Sequence, residues 1–148
     1  MNPLRVTQPE ELETAFTIRT KVFVEEQGVA LEDEFDEWDT LDGPCEHIVA
    51  CFDGQPAGTG RVRLLHGFAK LERICILEPY RNHGIGKIII RTLEGIAEEK
   101  GAQLVQLHGQ TQAQGFYEKL GYRVSSEEFM EDGIPHILMR KELSKAEQ

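Results

Sequence analysis

The segment Arg81-Asn82-His83-Gly84-Ile85-Gly86-Lys87 leaves a β-rich run and opens the strongest helical pattern in the chain. Ile85, Ile88, Ile89, Leu93, Ile96 and Ala97 recur at helical spacing, and Lys100-Gly101 supplies a basic last turn and a terminating glycine. A helix start exposes backbone N–H groups without intrahelical partners. Gly84 and Gly86 let a ligand approach them, and Arg81 and Lys87 add positive charge. An anionic, phosphate-bearing cofactor is therefore expected here; a ligand-free glycine turn is the alternative, and the position at a helix start weighs against it. Two better-known phosphate loops do not fit. A dinucleotide fingerprint needs a third Gly or Ala where Ile89 stands, and a P-loop needs Gly at Arg81 and Ser or Thr at Ile88.

A chain of 148 residues with 40% hydrophobic composition suits one domain spanning residues 1–148, with a normal core. Thr7-Gln8-Pro9-Glu10 has the form of a capping box and predicts a helix whose apolar face (Leu12, Ala15, Phe16, Ile18, Val22, Phe23) runs out at Gln27-Gly28. Residues 25–46 then carry ten acids and no Lys or Arg, which reads as a solvated loop anchored by Phe35, Trp38 and Leu41. Residues 47–52 and 57–65 predict an antiparallel hairpin about Asp53-Gly54-Gln55-Pro56, with a third strand over 69–77. Beyond the main helix come a strand at 104–107, a short helix at 113–120, and a terminal strand pair, 122–128 with 136–142; residues 144–148 are expected to fray. The chain shows no internal repeat or interdomain linker.

Sixteen Lys and Arg against 26 Asp and Glu give a net charge of −10, which disfavours nucleic acid and anionic membranes as partners. The longest apolar run, residues 48–52, is far too short to cross a bilayer, and residues 1–5 lack a signal-peptide core, so a cytoplasmic protein is expected. Cys45, Cys51 and Cys75 lack Cys-x-x-Cys spacing and read as buried thiols. The histidines show no ligand spacing and the acids no EF-hand, so no metal is expected.

Arg81, Gly84 and Gly86 match the Arg/Gln-x-x-Gly-x-Gly/Ala motif of the GCN5-related N-acetyltransferase (GNAT) superfamily, which the chain resembles. Ile74-Cys75-Ile76 resembles the family strand that pairs with the pantetheine arm. Residues 110–122 resemble the second motif, with Gln110 in place of the usual Asn. Residues 22–27 and Gly133-Ile134-Pro135-His136 look like the ElaA/YjcF branch. The resemblance implies an α+β fold, with a mixed, mostly antiparallel twisted sheet flanked by helices. It implies acetyl-CoA as cosubstrate and direct attack by a primary amine of a small molecule or peptide. Cofactor contacts would come from Ile74, Cys75, Ile76, Arg81, Asn82, His83, Gly84, Ile85, Gly86, Lys87, Gln110, Phe116 and Tyr117.

In that chemistry holding both reactants in one cleft supplies much of the rate, and backbone N–H groups near Ile76 polarise the thioester. Tyr117 matches the family tyrosine that protonates the departing thiolate. Cys75 needs no nucleophilic role, since no base is visibly paired with it. His136 and Glu72 are the candidate bases. His136 is favoured because its segment resembles one in the glyphosate N-acetyltransferase branch, where the equivalent His is the base; Glu72 could equally form a surface pair with Arg73 or Lys70. Glu72 could also hold the acceptor's ammonium. Arg19 and Phe23 are expected on another side of the acceptor pocket, with a surface position the alternative for Arg19. If the acidic segment borders the cleft, it favours cationic amines. A homodimer is left open. The rival readings are a noncatalytic acyl-CoA-binding regulatory module and an interaction protein that binds a basic partner through residues 25–46.

Overall fold

The computed structural model describes residues 3–143, so the tail expected to fray lies outside the described residues. The chain runs β1 (Pro3–Arg5), α1 (Pro9–Arg19), a π-helical segment (Thr20–Glu26), α2 (Leu31–Glu34), β2 (Cys45–Phe52), β3 (Gln55–Leu64) and β4 (Phe68–Ile76). It continues through α3 (Ile85–Glu99), β5 (Leu104–Gln110), α4 (Gln114–Lys119), β6 (Arg123–Val124), β7 (Phe129–Glu131) and β8 (Ile134–Glu142). The strands form one mixed sheet in the order β1-β2-β3-β4-β5-β8-β6, with β7 also on β8. All neighbours are antiparallel except β4 and β5.

Period-two alternation sends Val62, Ala69, Leu71, Val105, Leu107 and Met139 to one face, where Ile85, Ile89, Ile90, Leu93 and Ile96 of α3 cover them. Gly58 and Gly60 on β3 allow that close approach. A Cβ at Gly60 would sit 3.0 Å from both Ile89 and Leu93, and one at Gly58 would meet the Cys75 carbonyl at 2.9 Å. On the opposite face, α1 places Leu12, Ala15 and Ile18, and the π-helical segment Val22, against Val49 and Cys75.

The expected elements are present, β1 is added at the edge of the sheet, and four further details differ. The first helix begins one residue later, because the Glu11 carboxylate accepts the N–H groups of Thr7 (2.8 Å) and Gln8 (3.1 Å). It also changes to π geometry after Arg19, with the Gln27 N–H donating to the Val22 carbonyl at 3.0 Å. The acidic segment contains α2 and is pinned rather than solvated throughout, as described below. Of the strand expected over 122–128 only Arg123–Val124 forms; pairing resumes beyond it at Phe129–Glu131, and between the two the Leu138 N–H donates to the Ser126 hydroxyl (3.0 Å) instead of a strand carbonyl.

The feature that creates a site is a split in the sheet. β4 and β5 pair from Phe68↔Leu104 to Leu71↔Leu107 and then separate, while β4 continues to Ile76 and β5 to Gln110. Each arm is held from outside, β4 by β3 up to Ile76↔Gly58 and β5 by β8 up to Gln110↔His136. The parting coincides with a bulge: two register steps on β3, Thr59 to Arg61, face three on β4, Cys75 to Glu72. Arg73 within it has φ of +56°. Leu93 is fully buried beneath this scaffold, so Leu93→Ala should lower unfolding stability by about 2–5 kcal/mol in urea titration. A change under about 1 kcal/mol would contradict this packing.

Candidate active site

The separated arms enclose a cleft of about 280 Å³, lined by Glu72, Arg73, Ile74, Cys75 and Ile76 of β4 and by Leu107, His108 and Gln110 of β5. Phe23 and Gln27 close one side; Arg81, Tyr117, Glu131 and His136 complete the wall. The structure thus brings together Phe23, Glu72, Ile74–Ile76, Arg81, Gln110, Tyr117 and His136, far apart in sequence. Leu77 donates its N–H to the Ala57 carbonyl at 2.8 Å. Successive strand amides point to opposite edges, so the N–H and C=O of Ile76 face the cleft.

At the end of the β4 arm, Asn82 and Gly84 have φ of +68° and +78°, and this turn sets Gly84 as the residue before α3. The first N–H groups of α3 lack intrahelical partners, and the helix starts beside the end of β4, where a Cβ at Gly86 would lie 3.4 Å from Ile76; residues 82–87 and Phe116 lie outside the lining of the cleft itself. Phe116 stands beside this start: a Cβ at Gly86 would come within 3.2 Å of its ring. His83 packs its ring 4.8 Å from Phe52 and does not line the cleft. The geometry fits a pyrophosphate held by backbone N–H groups, with the exposed Lys87 nearby.

Tyr117 is brought to the wall by Gly109, where a Cβ would lie 3.0 Å from the phenol ring. Burial pushes the Tyr117 hydroxyl up to about 12, so it is a proton donor throughout the physiological range. His136 is buried beside Phe129, ring centroids 6.2 Å apart. Its Nδ1 lies 2.7 Å from the Ile134 carbonyl, which can only accept, so Nδ1 is the donor and, in the neutral ring, Nε2 carries the lone pair. Glu72 is less suited to proton abstraction. Burial would raise its pKa, but Arg61 (2.8 Å), Arg63 (3.1 Å) and Lys70 (3.4 Å) outweigh burial and hold it below the usual range. Cys75 lies in the core under α1, and burial pushes its thiol far above the ordinary value, so it presents no thiolate.

Arg19 does not reach the cleft. It is 1% exposed, with its Nε 2.9 Å from Glu34 and its Nη1 2.6 Å from Asp39. Arg61 binds Asp36 (2.9 Å) and Asp39 (2.8 Å) in the same network. Two buried arginines from distant elements thus neutralise acids of the segment that a local reading leaves in solvent, and Trp38 lies under Arg63 at 5.3 Å. An adjoining pocket is lined by Arg61, Arg63, Lys70 and Arg73 and by Asp33, Asp36, Glu72, Glu131 and Asp132, so both signs of charge face it, with Asp33 and Asp36 the contribution of the acidic segment. Sequence spacing missed His108 and Glu131, whose side chains meet at 2.8 Å on the lining of the cleft. It also missed Gln27, whose Oε1 accepts from Gln110 Nε2 at 3.1 Å. Neither pairing has a periodic signal; both join residues that only the sheet brings together.

A mixed sheet split between two parallel strands, with a glycine turn and helix start at the end of one arm, is the architecture of the acetyltransferases that the motifs resemble. The sequence profile of the acetyltransferase (GNAT) domain matches residues 9–143, and the chain belongs to this family. It is 50% identical over 135 residues to the uncharacterized N-acetyltransferase YjcF of Bacillus subtilis, covering 90% of this chain and 94% of YjcF. The crystal structure of Escherichia coli ElaA superposes with a TM-score of 0.83 at 25% identity, covering 95% of this chain and 99% of that one. That of an acyl-CoA N-acyltransferase from Pseudomonas aeruginosa gives 0.83 at 28%, with the same coverage of 95% and 99%. Among the described residues no helix is long and apolar enough to cross a membrane.

Arg19→Met should cost about 3–5 kcal/mol of unfolding stability, because it leaves buried carboxylates short of a partner. Burial raises the Asp39 pKa, but Arg19 and Arg61 overcome this and hold the carboxyl far below the usual range. Its stabilisation is therefore complete above the unfolded value, about 4, and declines as pH falls toward the folded one. Urea titrations from pH 7 to 3 should show the gap between wild type and Arg19→Met narrowing with acidification. A gap that widens would contradict the network.

Proposed function

We propose that the protein is an N-acetyltransferase that moves the acetyl group of acetyl-CoA directly to a primary amine of a small molecule or peptide, in the cytoplasm. The observation that carries this reading is that one cleft, lined by a β-strand edge, a protonated phenol and an imidazole, ends beside a phosphate-suited helix start. Bound acetyl-CoA would supply an electrophilic thioester. The pyrophosphate would lie on the N–H groups at Ile85, Gly86 and Lys87, beside the turn of Asn82, His83 and Gly84. The pantetheine arm would lie along Ile74, Cys75 and Ile76, flanked by Phe116, Tyr117 and Gln110.

The Ile76 N–H is fixed in the strand, so it can stabilise developing negative charge without reorganising. His136 Nε2 takes the proton from the incoming ammonium. Tyr117 donates its hydroxyl hydrogen toward the departing sulfur, which suits a phenol that stays protonated at working pH. Glu72, clamped by cations, orders the acceptor wall and is the weaker candidate for the base. Phe23 bounds the acceptor side. A purely noncatalytic acyl-CoA module would not need Tyr117 and His136 on the walls of one cleft.

Thiol release monitored across a panel of amino acids, polyamines, aminosugars and peptides, with mass spectrometry of products, tests the activity; acetyl-CoA binding without turnover of any amine would reject it. Gly84→Asp should abolish most of the thermal stabilisation by acetyl-CoA, since a carboxylate and a Cβ at φ +78° oppose the phosphates. Equal stabilisation of wild type and variant would remove the cradle.

Tyr117→Phe should lower turnover on the order of 10²-fold with acetyl-CoA affinity nearly unchanged. His136→Ala should lose most activity near neutral pH and regain part of it at alkaline pH, where more amine arrives unprotonated. Alkaline recovery in Glu72→Gln, and not in His136→Ala, would transfer the base role to Glu72.

A further inference from the structure

Arg81 is the residue that the phosphate motif would direct toward the cofactor, yet its guanidinium is turned elsewhere. Its Nε donates to the Ile76 carbonyl at 2.9 Å, while Nη1 and Nη2 each lie 2.6 Å from a separate oxygen of Glu26. Both residues are partly exposed, 36% and 42%, so simple charge attraction contributes little. The two-pronged geometry does something different: a planar fork on a carboxylate fixes direction as well as distance. Glu26 is the last residue of the π-helical segment. The next residue, Gln27, is tied to Gln110 at the end of β5 by a 3.1 Å hydrogen bond. Two consecutive residues therefore fasten the same wall to both arms of the split sheet, Glu26 to the β4 side and Gln27 to the β5 side. Between those fastenings and α1 lies Phe23, which faces the cleft.

We propose that Arg81 is a positioning residue, a strut that with Glu26 holds the π-helical wall across the mouth of the cleft and so sets how the acceptor amine is presented, leaving the phosphates to backbone N–H groups and Lys87. The strut rests on the acetyltransferase reading for its consequence in catalysis, but not for its existence. Arg81 also holds the Ile76 carbonyl, in the same strand residue whose N–H faces the thioester position. One side chain thus aligns the peptide at the reacting end of β4 and the wall opposite it.

The test uses the full chain and the variants Glu26→Ala, Glu26→Gln, Arg81→Ala, the double alanine variant, and the charge exchange Glu26→Arg with Arg81→Glu. The readouts are acetyl-CoA affinity by calorimetry, KM and kcat for the best amine of the panel above, melting temperature, and amide exchange over residues 20–27. The strut predicts that both single alanine variants speed exchange over 20–27 about fivefold or more and raise amine KM by about five- to tenfold. In both, acetyl-CoA affinity should change by less than about threefold. The double variant should be no worse than Arg81→Ala, Glu26→Gln should fall between wild type and Glu26→Ala, and the charge exchange should recover protection over residues 20–27 and KM, but not any kcat lost with the Ile76 contact, because a carboxylate cannot donate to that carbonyl.

Loss of acetyl-CoA affinity by about tenfold or more in Arg81→Ala but not in Glu26→Ala would overturn the proposal and make Arg81 a phosphate ligand. Additive single effects, or a folded charge-exchange variant that recovers neither protection nor KM, would also overturn it. A wild-type protein that binds no acetyl-CoA would reject the acetyltransferase reading instead, and exchange over residues 20–27 would still decide the strut.

Discussion

Hydrogen bonding between β4 and β5 stops at Leu71 and Leu107, and most of what this protein presents to a ligand follows from that interruption. Two parallel strands that continued together would bury their facing backbone groups in a ladder. Here the outer neighbours β3 and β8 carry the arms onward, so the inner edges remain available as donors and acceptors. Such groups are costly to bury unless water or a ligand satisfies them, and a ligand with amide groups can add to the edge as a strand would. The bulge around Arg73 turns β4 away at this point. The close seat of α3 over Gly58 and Gly60 then fixes a helix start at the far end of the same arm.

The second constraint is electrostatic. A net charge of −10 invites the reading of an acidic protein that draws in cations. Three acids of the densest acidic segment, Glu34, Asp36 and Asp39, are instead tied to Arg19 and Arg61, while Glu25, Glu32, Asp33, Glu37 and Asp42 stay exposed, and the pocket beside the cleft is lined by both signs. The charge at the cleft is therefore set by individual groups on its lining, Glu72, Arg73, Arg81, His108, Glu131 and His136, more than by the overall field. Burying this many charges works because each carboxylate in the network meets a guanidinium at hydrogen-bonding distance, which limits the desolvation cost.

The parts of the molecule legible in its sequence are those that local rules specify. The isoleucine spacing of α3, the glycine turn before it and the Asp53-Gly54 hairpin each state their geometry within a few residues. The positions of Tyr117 and His136 came from motif resemblance, and the fold carries both to the cleft. Long-range pairings were not legible. Nothing near Arg19 announces that Glu34 and Asp39 will bury it, and nothing near Glu26 points to Arg81. The change from α to π geometry after Arg19 was equally hidden, since apolar spacing is too coarse to separate the two. The Ser126 interruption of the terminal strands hinges on a single side chain competing with a carbonyl.

The central claim is that acetyl-CoA occupies the split between β4 and β5, with its phosphates at the start of α3. Residue-resolved amide NMR during titration with acetyl-CoA addresses this without any knowledge of the acceptor. The account predicts that the N–H signals of Ile76, Ile85, Gly86 and Lys87 shift together with one dissociation constant, while the outer pairing of β1 with β2 is unmoved. Unchanged signals at Ile76 and at the helix start, with saturable shifts elsewhere on the surface, would contradict it.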